Sequence, residues 1–205
     1  MAPAARPRPL SAAAREELAG LAGRLGEPLE REVVLDDVAF DPLTKRDRTG
    51  EVCMVVRRTN GRLLSSIKTF YPRGAYRLPT GGIRADESIE AALLRETCEE
   101  TGLEVALRRY LAHLAYRATG GAEPVFHTFA FLLDETGGTL GVLDPDERIE
   151  GYGEVGAEDL PAMAERLRSL GDERGEVGSW RSWGIFRAAV HVAVYEALAR
   201  GAGRT

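Results

Sequence analysis

An α/β fold, a mixed β-sheet sandwiched between helices, is the class that the sequence predicts. Three observations lead there. Apolar, β-branched stretches are interleaved with segments of helical periodicity, two of the former are joined by an Asn-Gly turn, and the last helical segment carries a continuous apolar stripe. At 205 residues the chain has room for one domain with additions at its ends.

The first ten residues are rich in Pro and Ala and are expected to be mobile. Ser11 offers an N-cap, and Leu10, Ala14, Leu18, Leu21 and Leu25 recur at helical spacing until Gly26 and Pro28 interrupt it. Glu32 to Phe40 reads as a strand ended by Asp41-Pro42. Val52–Arg57 and Leu63–Ile67 read as a hairpin around Asn60-Gly61, since both turn positions tolerate positive φ. A glycine turn at Gly81-Gly82 precedes a helix from Glu87 to Thr101, which Gly102 closes as a C′ residue. Strands are expected at Leu103–Ala118 and Val125–Leu133. An acidic loop spans Asp144 to Glu150, and a helix with proline in its first turn spans Leu160 to Leu170. The final helix, Ser182 to Arg200, places Phe186, Ala189, Val190, Ala193, Val194, Ala197 and Leu198 on one stripe.

Composition narrows the function classes. The net charge is −5, which argues against a protein that grips nucleic-acid backbones, because that binding needs surplus cations. No stretch approaches the apolar length of a membrane span, and no signal peptide is visible, so a cytoplasmic protein without a membrane partner is expected. Cys53 and Cys98 fit neither a disulfide framework nor a zinc site and suit a reducing cytosol. Cys98, Ala91 and Leu94 are expected on the core face of their helix.

On that helix, at about 100° per residue, Glu99 and Glu100 fall roughly 60° and 40° to either side of Glu96. Three carboxylates on one narrow arc repel one another unless a counter-ion joins them. Oxygen ligands without sulfur or imidazole suit Mg²⁺ or Mn²⁺, which complete their shells with water and substrate phosphate oxygens. The helix N-terminus beyond Gly81-Gly82 offers free N–H groups to an anion. These residue types describe a metal-dependent attack of water on a phosphate ester or anhydride.

The segment Gly81 to Leu103 resembles the Nudix box, G-x5-E-x7-R-E-U-x-E-E-x-G-U with U aliphatic. Gly81, Glu87, Arg95, Glu96, Glu99, Glu100 and Gly102 match its literal positions and Leu103 its last aliphatic one, while Thr97 stands where an aliphatic residue is usual. Thr80 likewise stands where many members have glycine. The resemblance implies a Nudix-type α/β/α sandwich over residues 31–170, with an N-terminal extension, 1–30, and a C-terminal helical segment, 171–205. It implies that Glu96, Glu99, Glu100 and the Gly81 carbonyl hold one or more Mg²⁺ (or Mn²⁺) ions. Arg95 would orient the glutamates, and Glu87 would anchor the loop or ligate a further metal. The family often draws another acid from a later loop, for which Asp146, Glu147 and Glu150 are candidates and Glu147 the first choice, as ligand or general base. The implied substrate is a small nucleotide-type diphosphate, a nucleoside diphosphate linked to another moiety. A (d)NTP pyrophosphatase and a non-catalytic nucleotide sensor are the alternatives. Homodimerisation through the N-terminal helix and strand is a further expectation.

Arginines near the box, chiefly Arg77 and also Arg84, are candidates to grip substrate phosphates. Trp180 and Trp183 are expected to anchor the final helix, with base stacking as the alternative. His113, His127 and His191 lack metal-ligand spacing and are expected to be satisfied structural histidines.

Overall fold

The computed structural model describes residues 6–202. In chain order it contains helix α1 (Ala12–Leu25) and strands β1 (Leu29–Leu35), β2 (Arg48–Arg57), β3 (Leu63–Lys68) and β4 (Thr80–Arg84). Helix α2 (Ile89–Thr101) follows, then β5 (Leu103–Ala118), β6 (Phe126–Gly138), β7 (Ile149–Val155), α3 (Leu160–Arg168), a short ribbon of β8 (Arg174–Gly175) and β9 (Gly178–Ser179), and α4 (Trp180–Ala202). The main sheet has seven strands in the order β1-β5-β6-β2-β3-β7, with β4 on β2. It is mixed: β1 runs parallel to β5 and β2 to β6, and the remaining pairs are antiparallel. One apolar core joins the sheet to α3 and α4, the other joins it to α1 and α2. This is the expected α/β sandwich with helices on both faces. No helix among the described residues is long and apolar enough to cross a membrane.

Local chemistry explains most boundaries. Ser11 Oγ accepts from Ala14 N and starts α1, Ser88 Oγ accepts from Ala91 N and starts α2, and Gly102 closes α2 with a left-handed φ of 65°. Trp183 and Phe186 of α4 are enclosed, and Trp183 meets Tyr71 edge to face at 4.7 Å, so the tryptophans anchor the helix.

Several expectations are corrected. Residues 1–5 of the segment expected to be mobile lie outside the described residues, but Arg8 is fastened: its N–H donates to the Pro124 carbonyl at 2.7 Å and its guanidinium to the Leu43 carbonyl at 2.8 Å. The first strand covers Leu29–Leu35 rather than running to Phe40. The acidic segment continues into β7, which pairs with β3. Gly81-Gly82 is not a turn but part of β4, where Val52 pairs with Gly81 and Glu51 with Gly82.

Helix α2 is rotated from the expected face. Ala91, Leu94 and Cys98 are exposed, whereas Ile89, Leu93, Glu96, Thr97 and Glu100 are buried. The expectation assumed that carboxylates face water; here they face a polar cleft whose cations neutralise them. Thr97, the departure from the box pattern, is fully buried and satisfied, its hydroxyl donating to the Leu93 carbonyl at 2.7 Å. Nor is the α2 N-terminus free for an anion. Glu17 of α1 accepts from Ile89 N and Glu90 N, both at 3.0 Å.

Candidate active site

The antiparallel pair β2–β4 presents its glycines to α2. A Cβ on Gly81 would lie 2.1 Å from the Glu96 carboxyl carbon, and one on Gly82 would lie 2.2 Å from the Arg48 guanidinium. A side chain at either position would displace the Glu96 carboxylate or the Arg48 guanidinium, and both positions have extended backbone. The missing side chains let the Glu96 carboxylate lie directly on the sheet.

Arg95 organises this end of the helix. Its guanidinium donates to Glu87 Oε1 and Oε2 at 2.7 and 2.8 Å, to Glu96 Oε1 at 2.9 Å, to Glu99 Oε2 at 2.8 Å and to the Gly82 carbonyl at 3.0 Å. One planar fork thus ties three carboxylates and β4 together. The hydrogen bond from Arg95 lowers the Glu87 pKa. Burial raises that of Glu96 despite Arg95.

Behind the cleft wall Glu100 is fully enclosed, and neither of its oxygens accepts a hydrogen bond. Lys68 Nζ stands 3.2 Å from Glu100 Oε1, and 2.6 Å from Glu147 Oε2. Burial, reinforced by the Glu147 charge and only partly opposed by Lys68 and Arg77, pushes the Glu100 pKa up to about 7. For Glu147 burial acts in the same direction, but the Lys68 charge and hydrogen bond outweigh it and its pKa falls. The Asp144–Arg148 loop that carries Glu147 is held by a 3-10 turn over Pro145–Glu147 and by a left-handed residue, Arg148, with φ 54°.

Glu96, Glu99 and Glu147 each offer a carboxylate oxygen, all within 4.8 Å of one another. This all-oxygen set suits a hard divalent cation, and Glu100 next to it, which accepts no hydrogen bond and has Lys68 beside Oε1, is a further carboxylate that a cation or its waters would satisfy. The trio joins residues some fifty positions apart: two from the box helix and the loop acid preferred from sequence. Glu100 lies behind it, against Lys68. Gly81 is in place beside Glu96. Asp146 also lines the cleft, which has a volume of about 430 Å³. Arg84 lines the same cleft, its guanidinium exposed and 3.9 Å from Glu99. Arg77 is placed differently from a surface phosphate grip. It is 1% exposed, with Nη1 donating to the Leu78 carbonyl, Nε to the Tyr71 hydroxyl, and Nη2 4.0 Å from Glu100. It underlies the cleft floor.

The histidines are structural. His191 Nε2 accepts from Leu78 N at 3.0 Å, and its Nδ1 pairs with the Arg187 carbonyl at 2.8 Å. His113 and His127 bond each other at 3.1 Å. Sequence reasoning missed Glu51 and Arg187, a buried ion pair at 2.6 Å beside the cleft. They lie 136 positions apart, and no local pattern signals them.

The fold and the site define a class. A family model described as the NUDIX domain matches residues 46–173, more than half of the chain. The chain belongs to the Nudix family and is a hydrolase of it, a family that in general needs a divalent metal and acts on small nucleotide diphosphates. Among solved structures it is similar to an ADP-ribose pyrophosphatase from Streptococcus suis (18% identity, 76% of this chain and 92% of that one, TM-score 0.46). It is also similar to an Ap4A hydrolase from C. elegans (14% identity, 75% and 98%, TM-score 0.49) and a MutT Nudix hydrolase from Burkholderia pseudomallei (26% identity, 54% and 84%, TM-score 0.42). No curated protein matches the chain.

Proposed function

We propose that this chain is a Mg²⁺- or Mn²⁺-dependent hydrolase that cleaves the diphosphate linkage of a nucleoside diphosphate joined to another moiety. The observation that carries the reading is the convergence of Glu96, Glu99 and Glu147 within 4.8 Å beside the buried Glu100 carboxylate, which accepts no hydrogen bond. Glu96, Glu99, Glu100 and the Gly81 carbonyl would hold the cation, with Glu147 as a further ligand or as the base. A cation there would supply neutralisation of the charge that develops on the phosphate oxygens.

The side chains do the rest. Arg95 fixes the glutamates through its fork, and Glu87 in turn fixes Arg95. Arg84, exposed at the rim, meets substrate phosphate oxygens, and Arg77 holds the floor positive from behind. In the reaction an oxygen of water forms a bond to one phosphorus as the bridging P–O bond breaks. The water proton passes to a carboxylate, for which Glu147 is the candidate because Lys68 keeps it ionised. The products are a monophosphate and a second phosphorylated group. Residues 31–170 form the catalytic unit in this proposal, with 1–30 and 171–205 as additions to it, in a cytoplasmic protein whose N-terminal helix and strand pair two copies.

The test is a panel of nucleoside diphosphate derivatives, (d)NTPs and dinucleoside polyphosphates, assayed with Mg²⁺, with Mn²⁺ and with chelator. Metal-dependent release from the first class is expected, and Glu100→Gln should nearly abolish it with the fold intact. Melting shifts with nucleotides in the absence of any turnover would identify a sensor instead.

A further inference from the structure

Lys68 is one of only two lysines among the 27 lysines and arginines of the chain, and it stands in the wall of the cleft. It ends β3 opposite Ile149 of β7, and the next residue, Thr69, donates its N–H to the Arg148 carbonyl at 2.9 Å. The loop that carries Glu147 is thereby held in register with the strand that carries Lys68. The lysine side chain is 14% exposed and reaches two carboxylates at once. Its Nζ donates to Glu147 Oε2 at 2.6 Å and stands 3.2 Å from Glu100 Oε1. The same Glu100 oxygen has Arg77 Nη2 at 4.0 Å.

Glu147 therefore belongs to two sets of carboxylates. In one it joins Glu96 and Glu99 within 4.8 Å, the place proposed above for a divalent ion. In the other it joins Glu100, and the ammonium of Lys68 already lies between them. An ammonium suits that place. It is a compact charge whose three donors radiate from one atom, so it can serve two carboxylates in different directions, which a planar guanidinium fork does less well. A Mg²⁺ ion on the same two oxygens would stand about 2.1 Å from each and would have to displace the ammonium. Glu100 Oε1 would then carry a third cation besides Lys68 and Arg77, and like charges repel. Glu100 is fully enclosed and accepts no hydrogen bond, so among the described residues its charge is balanced by these two side chains alone.

We infer that Lys68 is a built-in cation: its ammonium fills the place between Glu100 and Glu147, so that the free enzyme takes one divalent ion, at Glu96, Glu99 and Glu147, rather than two. Lys68 is then a positioning residue, which holds Glu147 toward that ion and keeps Glu100 Oε1 from it. The inference rests on the proposed cation site.

The experiment counts the Mn²⁺ ions bound per chain in metal-stripped, full-length protein without substrate, by calorimetry and by the electron paramagnetic resonance of unbound Mn²⁺. Wild type is expected to bind one ion. Lys68→Ala removes the ammonium and leaves both carboxylates, and it is expected to bind two. Lys68→Arg keeps a charge at the place and should bind one. Should Lys68→Ala not fold without metal, Lys68→Gln, which loses the charge and keeps a donor, replaces it in the count with the same expectation. Any wild-type count other than one, or a count that stays at one when the charge is removed, overturns the inference. A raised KM in the neutral variants with the Mn²⁺ count unaltered would mark Lys68 as a grip on substrate phosphate instead. The count also separates the two readings. Two ions in wild type with turnover intact would remove this inference alone, whereas counts of one and two without hydrolysis of any substrate would remove the proposed function and leave Lys68 as assigned.

Discussion

Replacing Arg95 with Met removes the one side chain that holds three glutamates together, and the structure sets the size of the effect. Arg95 is 18% exposed on its side chain, and its partners Glu87, Glu96 and Glu99 are 13, 8 and 27% exposed. Exposed ion pairs contribute about 0–1 kcal/mol, but breaking a mostly buried one leaves uncompensated charge and costs about 3–5 kcal/mol. The contacts to Glu87 and Glu96 belong to the second kind and the one to Glu99 nearer to the first, so a loss of about 3–4 kcal/mol is expected in chelator. For a chain of this size that is roughly 6–16 °C in Tm. Urea unfolding of wild type, Arg95→Met and Arg95→Lys reads it directly. Lysine restores the charge but not the planar fork, and it should recover less than half of the loss. A loss under about 1 kcal/mol, or full rescue by lysine, would refute the argument that fork geometry organises the site.

Three further outcomes are expected. Gly81→Ala drives a methyl group into the Glu96 carboxylate; it should weaken Mn²⁺ binding, measured by calorimetry, about tenfold or more while costing about 1–3 kcal/mol of stability, and unaltered affinity would deny the close approach. Glu17→Ala removes the acceptor of two α2 N–H groups and should cost about 1–2 kcal/mol in urea unfolding, against nothing if α1 only rests on the surface. Burial lowers the His191 pKa from 6.5 to about 4, so between those values the unfolded chain binds the extra proton. Its contribution is complete above about pH 6.5 and lost as pH falls, about 2 kcal/mol by pH 5. His191→Gln should flatten the pH dependence of unfolding by that amount, and identical slopes would contradict it.

Most of the fold was legible where its causes are local. The Asn60-Gly61 hairpin, the Ser11 cap of α1, the Gly102 stop of α2, and the apolar stripe of α4 each follow from neighbouring residues. The box residues were legible too, because their i, i+3 and i+4 spacing gathers carboxylates before any tertiary contact forms. What stayed hidden depends on distant partners. The rotation of α2 follows from a cleft that neutralises its glutamates with Lys68 and Arg95, so its solvent face could carry Leu94. The occupied N-terminus of α2 depends on Glu17, more than seventy positions earlier. The glycines of β4 were read as a turn because glycine signals flexibility in sequence, whereas here it makes room for Glu96 and Arg48. β7 escaped notice because Ile149–Val155 has two glycines and two glutamates among seven residues.

The central claim is that the glutamates of α2 and its neighbouring loop hold a divalent cation needed for diphosphate hydrolysis. A Mn²⁺ titration of initial rates, with metal-stripped wild type and Glu99→Gln on one nucleoside diphosphate derivative, tests it most directly. The account predicts no turnover without cation, saturable recovery in wild type, and a midpoint raised about tenfold or more in Glu99→Gln. Turnover that persists in chelator, or the same midpoint in both proteins, would contradict it.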